Sequence, residues 1–461
     1  MITDLTQGKP SKMLFNLALP MVISMLFQQL YNLVDSVIVG RFVGGNALYA
    51  IGSSFSYTMV FLAIAAGTSA GLTVVAGKFF GAKKYADLKT TVSTTFISMI
   101  AVAILFTVLG ALLSEPVLRL LGTPDYIIDD AVAYLQIFFY GLTFICIYNV
   151  TAGAFAAVGD SKTSLVFLII SSLLNIGLDL LFVCVFNMGV AGAAWATLLS
   201  QAVSAIPALL VLYKRLSKLE SEQSPWFSFR HLKIVVRIAI PSMVQHAIIS
   251  LGNMLIQERV NFFSAQNEAV GTAYTAAIKL NTVAINCFVT MGNAASSFTA
   301  QNLGAAKPER VKKGFVAGSL IAICMAVPLI IIYCFFSDYA LQLFLVEKTS
   351  ANIDEILRVG RQFLTIISPF YLIIPVKIVA DSILRGGECM SQFLTSTFTD
   401  LLLRVAIAYL LTIFTPLAEA GIWWSWPIGW VISVVISLAF YFKGNWQNAG
   451  KRKEDGAPQA T

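Results

Sequence analysis

The sequence predicts an all-α polytopic membrane protein with twelve transmembrane helices in two pseudo-symmetric six-helix lobes. Of its 461 residues, 57% are hydrophobic and only 12% are charged, and the apolar residues form solid runs such as 165–185. Soluble domains average about 25% charged residues, and about 20 apolar residues cross a bilayer as a helix. Membrane β-barrels alternate polar and apolar residues instead, so helices are the predicted spanning elements.

Twelve apolar segments follow one another along the chain. They are 13–39, 47–77, 92–113, 130–156, 163–186, 190–213, 235–262, 269–298, 314–336, 357–384, 390–414 and 418–442. Lys and Arg concentrate in alternate loops, which by the positive-inside rule predicts that both termini are cytoplasmic. The net charge of +7 comes mainly from these loops and does not indicate nucleic-acid binding. We expect a multi-pass protein of the cell membrane.

The two halves of the chain resemble each other. Ala18-Leu19-Pro20 recurs as Ala239-Ile240-Pro241, and Gly81-Ala82-Lys83 recurs within Gly304-Ala305-Ala306-Lys307. Two further pairs keep the same order: Ala50-Ile51-Gly52 with Ala269-Val270-Gly271, and Ala157-Val158-Gly159-Asp160 with Arg385-Gly386-Gly387-Glu388. Six spans in each half make the repeat parallel, as in transporters whose lobes alternate access. The alternative is a duplicated structural bundle without transport.

The repeat and the hydrophilic stretch in its middle predict the domain organisation. The predicted domains are an N-terminal six-helix lobe at 1–213, a cytoplasmic linker at 214–234, a C-terminal six-helix lobe at 235–443 and a cytoplasmic tail at 444–461. We expect the two lobes to face each other across a cleft.

Polar and ionisable residues gather at one depth in the outer half of the first predicted lobe. They are Tyr31, Asp35, Tyr134, Asn175, Asp179 and Thr197. Asn175 and Asp179 are four residues apart and share one helical face. Ionisable residues inside a membrane are functional by default, because an isolated charge there is costly. Asp35 and Asp179 are therefore the strongest candidates for function.

Two carboxylates with amide and hydroxyl oxygens beside them suit two kinds of cation. They can bind a hard ion such as Na⁺ through oxygen ligands, or they can share a proton. Either event changes the charge inside one lobe and can bias its conformation. The alternative is a set of separately satisfied polar residues at helix contacts, and for Thr197 and Tyr134 taken singly that interpretation is the better one. No other metal and no cofactor is predicted.

Short motifs spread over nearly the whole chain give a resemblance to a known family. They are Leu19-Pro20, Asn32-Leu33-Val34-Asp35, Val39-Gly40-Arg41, residues 77–84, Asn175-Ile176-Gly177-Leu178-Asp179, Gly192-Ala193-Ala194-Trp195-Ala196-Thr197 and Leu384-Arg385-Gly386. In this order the chain resembles the multidrug and toxic compound extrusion (MATE) family of cation-coupled antiporters. The resemblance implies two lobes in a V shape that export organic cations against an inward proton or sodium gradient.

The resemblance also implies roles for particular residues. Asp35, Asn175, Asp179 and Thr197 match the first-lobe cation site of the family, and Tyr31 and Tyr134 match residues that line the same cavity. The second lobe departs from the family pattern.

Some branches of the family place coupling carboxylates in spans 7 and 10. Here span 7 carries Gln257 and Glu258, and span 10 carries Lys377 and Asp381. We treat these four residues as a candidate second-lobe polar site, although their spacing matches those branches poorly. Local ion pairs, Glu258 with Arg259 and Lys377 with Asp381, are an equally good interpretation.

The predicted function is secondary active efflux of organic cations or drugs, antiported against H⁺ or Na⁺ by alternating access of two lobes. A flippase or exporter of a lipid-linked saccharide from the same superfamily is the alternative, and a non-transporting receptor or scaffold is the third candidate. An enzyme is not predicted, because the sequence contains no Walker A, HExxH or nucleophile-elbow motif. The expected partners are small organic cations and the lipid bilayer, with no nucleic acid and no obligate protein partner.

Overall fold

The computed structural model describes residues 2–120, 122–343 and 353–448, and every regular element in these ranges is helical. The first half contains α1 (Pro10–Phe42), α2 (Gly45–Gly81), α3 (Tyr85–Leu120), α4 (Asp125–Ala157), α5 (Ser161–Asp179) and α6 (Gly189–Leu216). The second half contains α7 (Phe229–Ser264), α8 (Glu268–Gly304), α9 (Pro308–Phe335), α10 (Ser337–Gln342), α11 (Ile353–Ile367), α12 (Ile374–Gly386), α13 (Met390–Phe414) and α14 (Ala420–Phe442). Each of the twelve predicted spans corresponds to one long helix or to one broken helix.

The helices have the length and composition of membrane spans. In the described part of the chain, ten helices are each long and apolar enough to cross a bilayer. A broken span is the eleventh: α11 and the 3₁₀ turn Ser368–Leu372 meet α12 at an angle of 53°. Helix α8 covers predicted span 8, but polar residues such as Lys279 and Asn281 make it less apolar than those ten helices.

The backbone repeats in the two halves even where the sequence does not. The N–H groups of Lys83 and Lys84 close the end of α2 on the carbonyls of Phe80 and Phe79. In the second half, Ala306 and Lys307 close the end of α8 in the same way. This is the Schellman arrangement, in which one residue takes a left-handed conformation, here Lys83 (φ 58°) and Ala306 (φ 55°). The two loops therefore have the same conformation.

The ends of α4 and α12 form a second such pair, and they correct the sequence alignment by one residue. The left-handed residues are Gly159 (φ 72°) and Glu388 (φ 59°), whereas the sequence match sets Gly159 opposite Gly387. The motif matched glycine to glycine, but the fold conserves the conformation of the backbone rather than the identity of the residue. A third pair, Asn187 and Ala418, precedes α6 and α14.

The described residues fold into two compact units. Unit 1 contains residues 2–6 and Asn16–Met243, and unit 2 contains Gln7–Phe15 and the described residues from Val244 onwards. Helices α1 and α7 therefore each contribute to both units. The predicted boundaries at 213 and 235 follow the sequence repeat and stay a prediction. Most of the predicted tail, residues 449–461, lies outside the described residues.

The N-terminal segment divides between the two units, and each part is bound within its own unit. In unit 1, the Thr3 N–H donates to the Val158 carbonyl at 3.0 Å, and Leu5 is fully buried. In unit 2, the Arg310 guanidinium donates to the Gln7 and Gly8 carbonyls at 3.1 and 2.9 Å. The chain ahead of α1 is therefore an integral part of the fold.

The core of unit 1 lies among α2, α3, α4 and α6. Phe61 and Phe139 meet edge to face at 4.9 Å, and Leu72, Leu142 and Leu212 are fully buried in the same cluster. A smaller apolar cluster joins α1, α2, α6 and the residues that follow α5. It consists of Ile38, Val39, Ala47, Val183, Val190 and Ala193. This second cluster lies beside the polar residues of α1 and α5.

Candidate functional site

Asp179 is the last residue of α5, at the point where the helix widens. The six residues Leu180–Val185 continue as a π-helix, with the Phe186 N–H donating to the Leu181 carbonyl at 2.9 Å. Single π turns inside α-helices are frequent at functional sites, and they shift the side chains relative to the regular α spacing. The wider turn follows Asp179 immediately.

The carboxyl groups of Asp35 and Asp179 lie close enough to interact directly. Asp179 is fully buried, and Asp35 is partly buried on α1. The described residues supply no hydrogen-bond donor to Asp35 Oδ1 or to either carboxylate oxygen of Asp179. Buried polar atoms are nearly always paired, and leaving a charged one unpaired is costly. The pair therefore calls for a proton or a cation.

Asn175 and Thr197 extend this group of oxygens. The Asn175 amide donates from Nδ2 to Thr197 Oγ1 at 3.4 Å, which leaves the buried Asn175 Oδ1 with no donor among the described residues. Ser172, one turn before Asn175 on α5, is also buried with an unpartnered hydroxyl. Sequence reasoning missed Ser172, although its place on the Asn175 face of α5 was a usable signal.

Tyr31 and Tyr134 lie on the same side of unit 1. Both phenols are near enough to Asp35 and Asp179 to interact with them electrostatically. Tyr134 and Thr197 line a small cavity together with Phe138 and Ala194. The structure thus brings together all six residues that the sequence grouped by depth.

The chemistry of this group favours a hard cation or a proton. The lone pairs that this group can offer to an ion belong to carboxylate, amide and hydroxyl oxygens. These are the ligands that hard ions such as Na⁺ take. The apolar cluster beside the group includes the buried Val39 and Val183. In such surroundings a charge change within the pair has a large electrostatic effect.

The second unit arranges its buried charges differently. The Lys377 ammonium on α12 lies 2.8 Å from Asp381 Oδ2 and 3.7 Å from Asp400 Oδ2 on α13. The Asp400 Oδ1 atom also accepts from the Ser433 hydroxyl at 3.2 Å. Lys377 and Asp381 therefore form the local ion pair that the sequence left open, and Asp400 joins it.

The structure does not bring the other two candidate residues into this cluster. Gln257 Nε2 donates to Asn261 Oδ1 at 2.9 Å, and Glu258 accepts from the Tyr409 hydroxyl. Arg259 donates to Thr412 Oγ1 at 2.8 Å, and its guanidinium lies over the Phe262 ring. In the described part of the chain, these α7 residues contact one another and α13. They do not join the Lys377–Asp381 pair.

Comparison with known proteins gives a family and a fold. The MatE family model matches residues 20–181 and 241–410. The probable multidrug resistance proteins YoeA and YpnP of Bacillus subtilis are 27% and 28% identical to the chain. These alignments cover 92% and 96% of this chain and 91% and 97% of the relatives. A crystal structure of MATE in complex with MaL6 superposes with a TM-score of 0.90 at 23% identity, covering 98% of this chain and 99% of that one.

Proposed function

The chain belongs to the MatE family of multidrug efflux transporters, and from that premise we propose that it exports organic cations in exchange for H⁺ or Na⁺. The names of the two Bacillus relatives, both probable multidrug resistance proteins, support a drug-like cargo. The observation that carries the proposal is the pair Asp35 and Asp179, in which Asp35 Oδ1 and both carboxylate oxygens of Asp179 are buried without donors among the described residues.

Coupling follows from the electrostatics of this pair. A buried dianion is costly, and a bound cation or proton offsets that cost. An organic cation and a coupling ion that neutralise the same carboxylates then compete for one site. Exchange results if this site opens in turn to the two sides of the membrane, because each ion displaces the other.

Roles for the neighbouring residues follow from their contacts. Thr197 and Asn175 offer neutral oxygens that complete a cation's coordination without adding charge. Tyr31 and Tyr134 offer aromatic faces, which attract organic cations through the ring quadrupole. We assign these four residues to binding, and Asp35 and Asp179 to coupling.

The test is dye efflux from proteoliposomes under an imposed proton gradient or an imposed sodium gradient. Asp35→Asn keeps the shape of the side chain and removes its charge, so we expect it to abolish gradient-driven efflux of a cationic dye. The matched control is Asp129→Asn, which removes an exposed carboxylate near the start of α4 and should leave efflux unchanged. The gradient that drives efflux identifies the coupling ion.

Two outcomes would contradict the proposal. One is equal efflux by the folded wild type and by Asp35→Asn. The other is folded wild type that moves no cationic dye under either gradient, which would favour the lipid-linked saccharide alternative. That alternative would then be tested by rescue of cells depleted of a known flippase.

A further inference from the structure

We propose that the Lys377 ammonium is a tethered cation that permanently fills the carboxylate pair of unit 2, so that this pair binds no exchangeable ion. That an exchangeable ion drives transport rests on the proposed function. That Lys377 fills the carboxylate pair does not. The binding claim itself rests on the geometry around Lys377, Asp381 and Asp400.

The ammonium stands where a bound cation would stand. It is 2.8 Å from Asp381 Oδ2 and 3.7 Å from Asp400 Oδ2, and so it lies between carboxylates from two different helices. Only 7% of the Lys377 side chain and 8% of the Asp381 side chain are exposed. A lysine brings its charge on its own chain, so the pair is neutralised without an ion from solution.

The break in span 10 places the lysine there. The 3₁₀ turn Ser368–Leu372 ends just before α12, and Lys377 lies in the first turns of that helix. The amino end of a helix disfavours a cation, so helix α12 alone would not hold Lys377 there. The compensation comes from Asp381 one turn later and from Asp400.

The other charges facing this cluster oppose a further cation. Arg404 lies on α13 with its guanidinium 4.1 Å from the centre of the Trp426 ring, and it also interacts with Asp400. Arg385 donates to Asn293 Oδ1 at 2.6 Å and lies within electrostatic range of Asp381. Three cationic side chains thus surround two carboxylates. An added cation would meet a net positive charge, in contrast to the Asp35–Asp179 pair.

Chemical rescue tests the inference on purified protein, without transport. Lys377→Ala removes the atoms of a propylammonium ion, so that ion should refill the site. We expect Lys377→Ala in detergent to melt about 5 °C or more below wild type, and propylammonium to restore much of that loss. The neutral isostere n-propanol should not restore it, and any stabilisation of wild type by propylammonium should persist in Asp381→Asn.

A charge-balanced variant keeps the test decisive if Lys377→Ala does not fold. Lys377→Met combined with Asp381→Asn removes one charge of each sign, and replacing both partners of a buried pair is often neutral. We expect this double variant to fold, to melt near wild type and to retain gradient-driven dye efflux.

Other results would overturn the inference. One is stabilisation of wild-type unit 2 by propylammonium or Na⁺ that Asp381→Asn removes. Another is an equal rise in the melting temperature of Lys377→Ala with n-propanol and with propylammonium. The third is loss of efflux in the folded double variant. Failure of the proposed function is distinguishable, because it would abolish efflux in wild type while leaving the rescue of Lys377→Ala intact.

Discussion

Each unit holds a pair of buried or partly buried aspartates, but only one pair has a cation of its own. In unit 1, Asp35 and Asp179 face each other with orphaned oxygens and no basic side chain bonded to them among the described residues. In unit 2, Asp381 and Asp400 share the ammonium of Lys377. If the proposed function holds, a duplicated fold carries an exchangeable charge in one copy and a fixed charge in the other.

The two pairs do not occupy equivalent places in the repeat. Asp35 lies fifteen residues after Pro20, and the residue fifteen after Pro241 is Ile256. Asp179 lies twenty residues after the left-handed Gly159, and the residue twenty after Glu388 is Ala408. Ile256 and Ala408 are fully buried and apolar. The two halves therefore share the loop conformations, but the second half has no carboxylates at the positions of the first site.

The largest expected effect separates the pairs by transport. We expect Asp179→Asn to reduce gradient-driven dye efflux by about 100-fold or more, because removing one of two coupled charges removes the ion's main binding energy. The corresponding change in unit 2, Asp400→Asn, should leave at least half of the efflux in protein that folds. Initial rates in proteoliposomes measure both. Equal losses in the two variants would break the comparison.

The second effect separates the pairs by stability. Asp381→Asn leaves Lys377 buried without its nearest partner, and we expect it to lower the free energy of unfolding by about 3 kcal/mol. Asp179→Asn removes a charge that has no fixed partner, so it should leave stability unchanged or raised. Unfolding in mixed micelles checks both signs. A loss of stability in Asp179→Asn as large as in Asp381→Asn would show that both pairs are structural.

A smaller effect concerns the neutral oxygens beside each pair. Thr197→Val removes the hydroxyl that accepts from Asn175, and we expect it to weaken binding of the coupling ion about 5- to 10-fold, the equivalent of one hydrogen bond or ligand. The matched change in unit 2 is Ser433→Ala, which removes the donor to Asp400. It should leave the ion dependence of efflux unchanged. Ion titrations of initial efflux rates compare the two.

The smallest effect concerns the repeated loop between spans 4 and 5 and between spans 10 and 11. Glu388 has φ 59°, so Glu388→Gly should raise the free energy of unfolding by about 0.5–1 kcal/mol. Gly159→Ala should lower it by more, because the added Cβ would lie 2.4 Å from the Thr3 carbonyl oxygen. Unfolding measurements on both variants decide. A gain in stability for Gly159→Ala would show that the two loops are not equivalent.

Hydropathy and charge predicted the architecture because they act along a single helix. The length of each apolar run and the distribution of Lys and Arg are readable without knowing which helices touch. Counting depth also grouped Asp35 with Asp179, since residues at one depth can meet. It could not show which of them do meet, and their roles stay a prediction.

The features that sequence reasoning missed depend on lateral packing or on local backbone geometry. Nothing in Leu180–Val185 announces a π turn, and the partnership of Lys377 with Asp400 requires α12 and α13 to be neighbours. The sequence match between the two halves was out of register by one residue at Glu388, because a non-glycine residue takes the left-handed conformation there.

The N-terminal segment sets a constraint on biosynthesis. The hydrogen bond from Thr3 to Val158 can form only after the end of α4 has been translated, 155 residues after Thr3. Gln7 and Gly8 wait still longer, until Arg310 has been translated. Domains generally fold as units in the order of their synthesis, but unit 2 combines Gln7–Phe15 with residues from Val244 onwards, which are made after the residues of unit 1. If the chain were cut within 214–234, neither fragment would contain a whole unit. Unit 2 would need Gln7–Phe15 from the first fragment, and unit 1 would need the residues up to Met243 from the second.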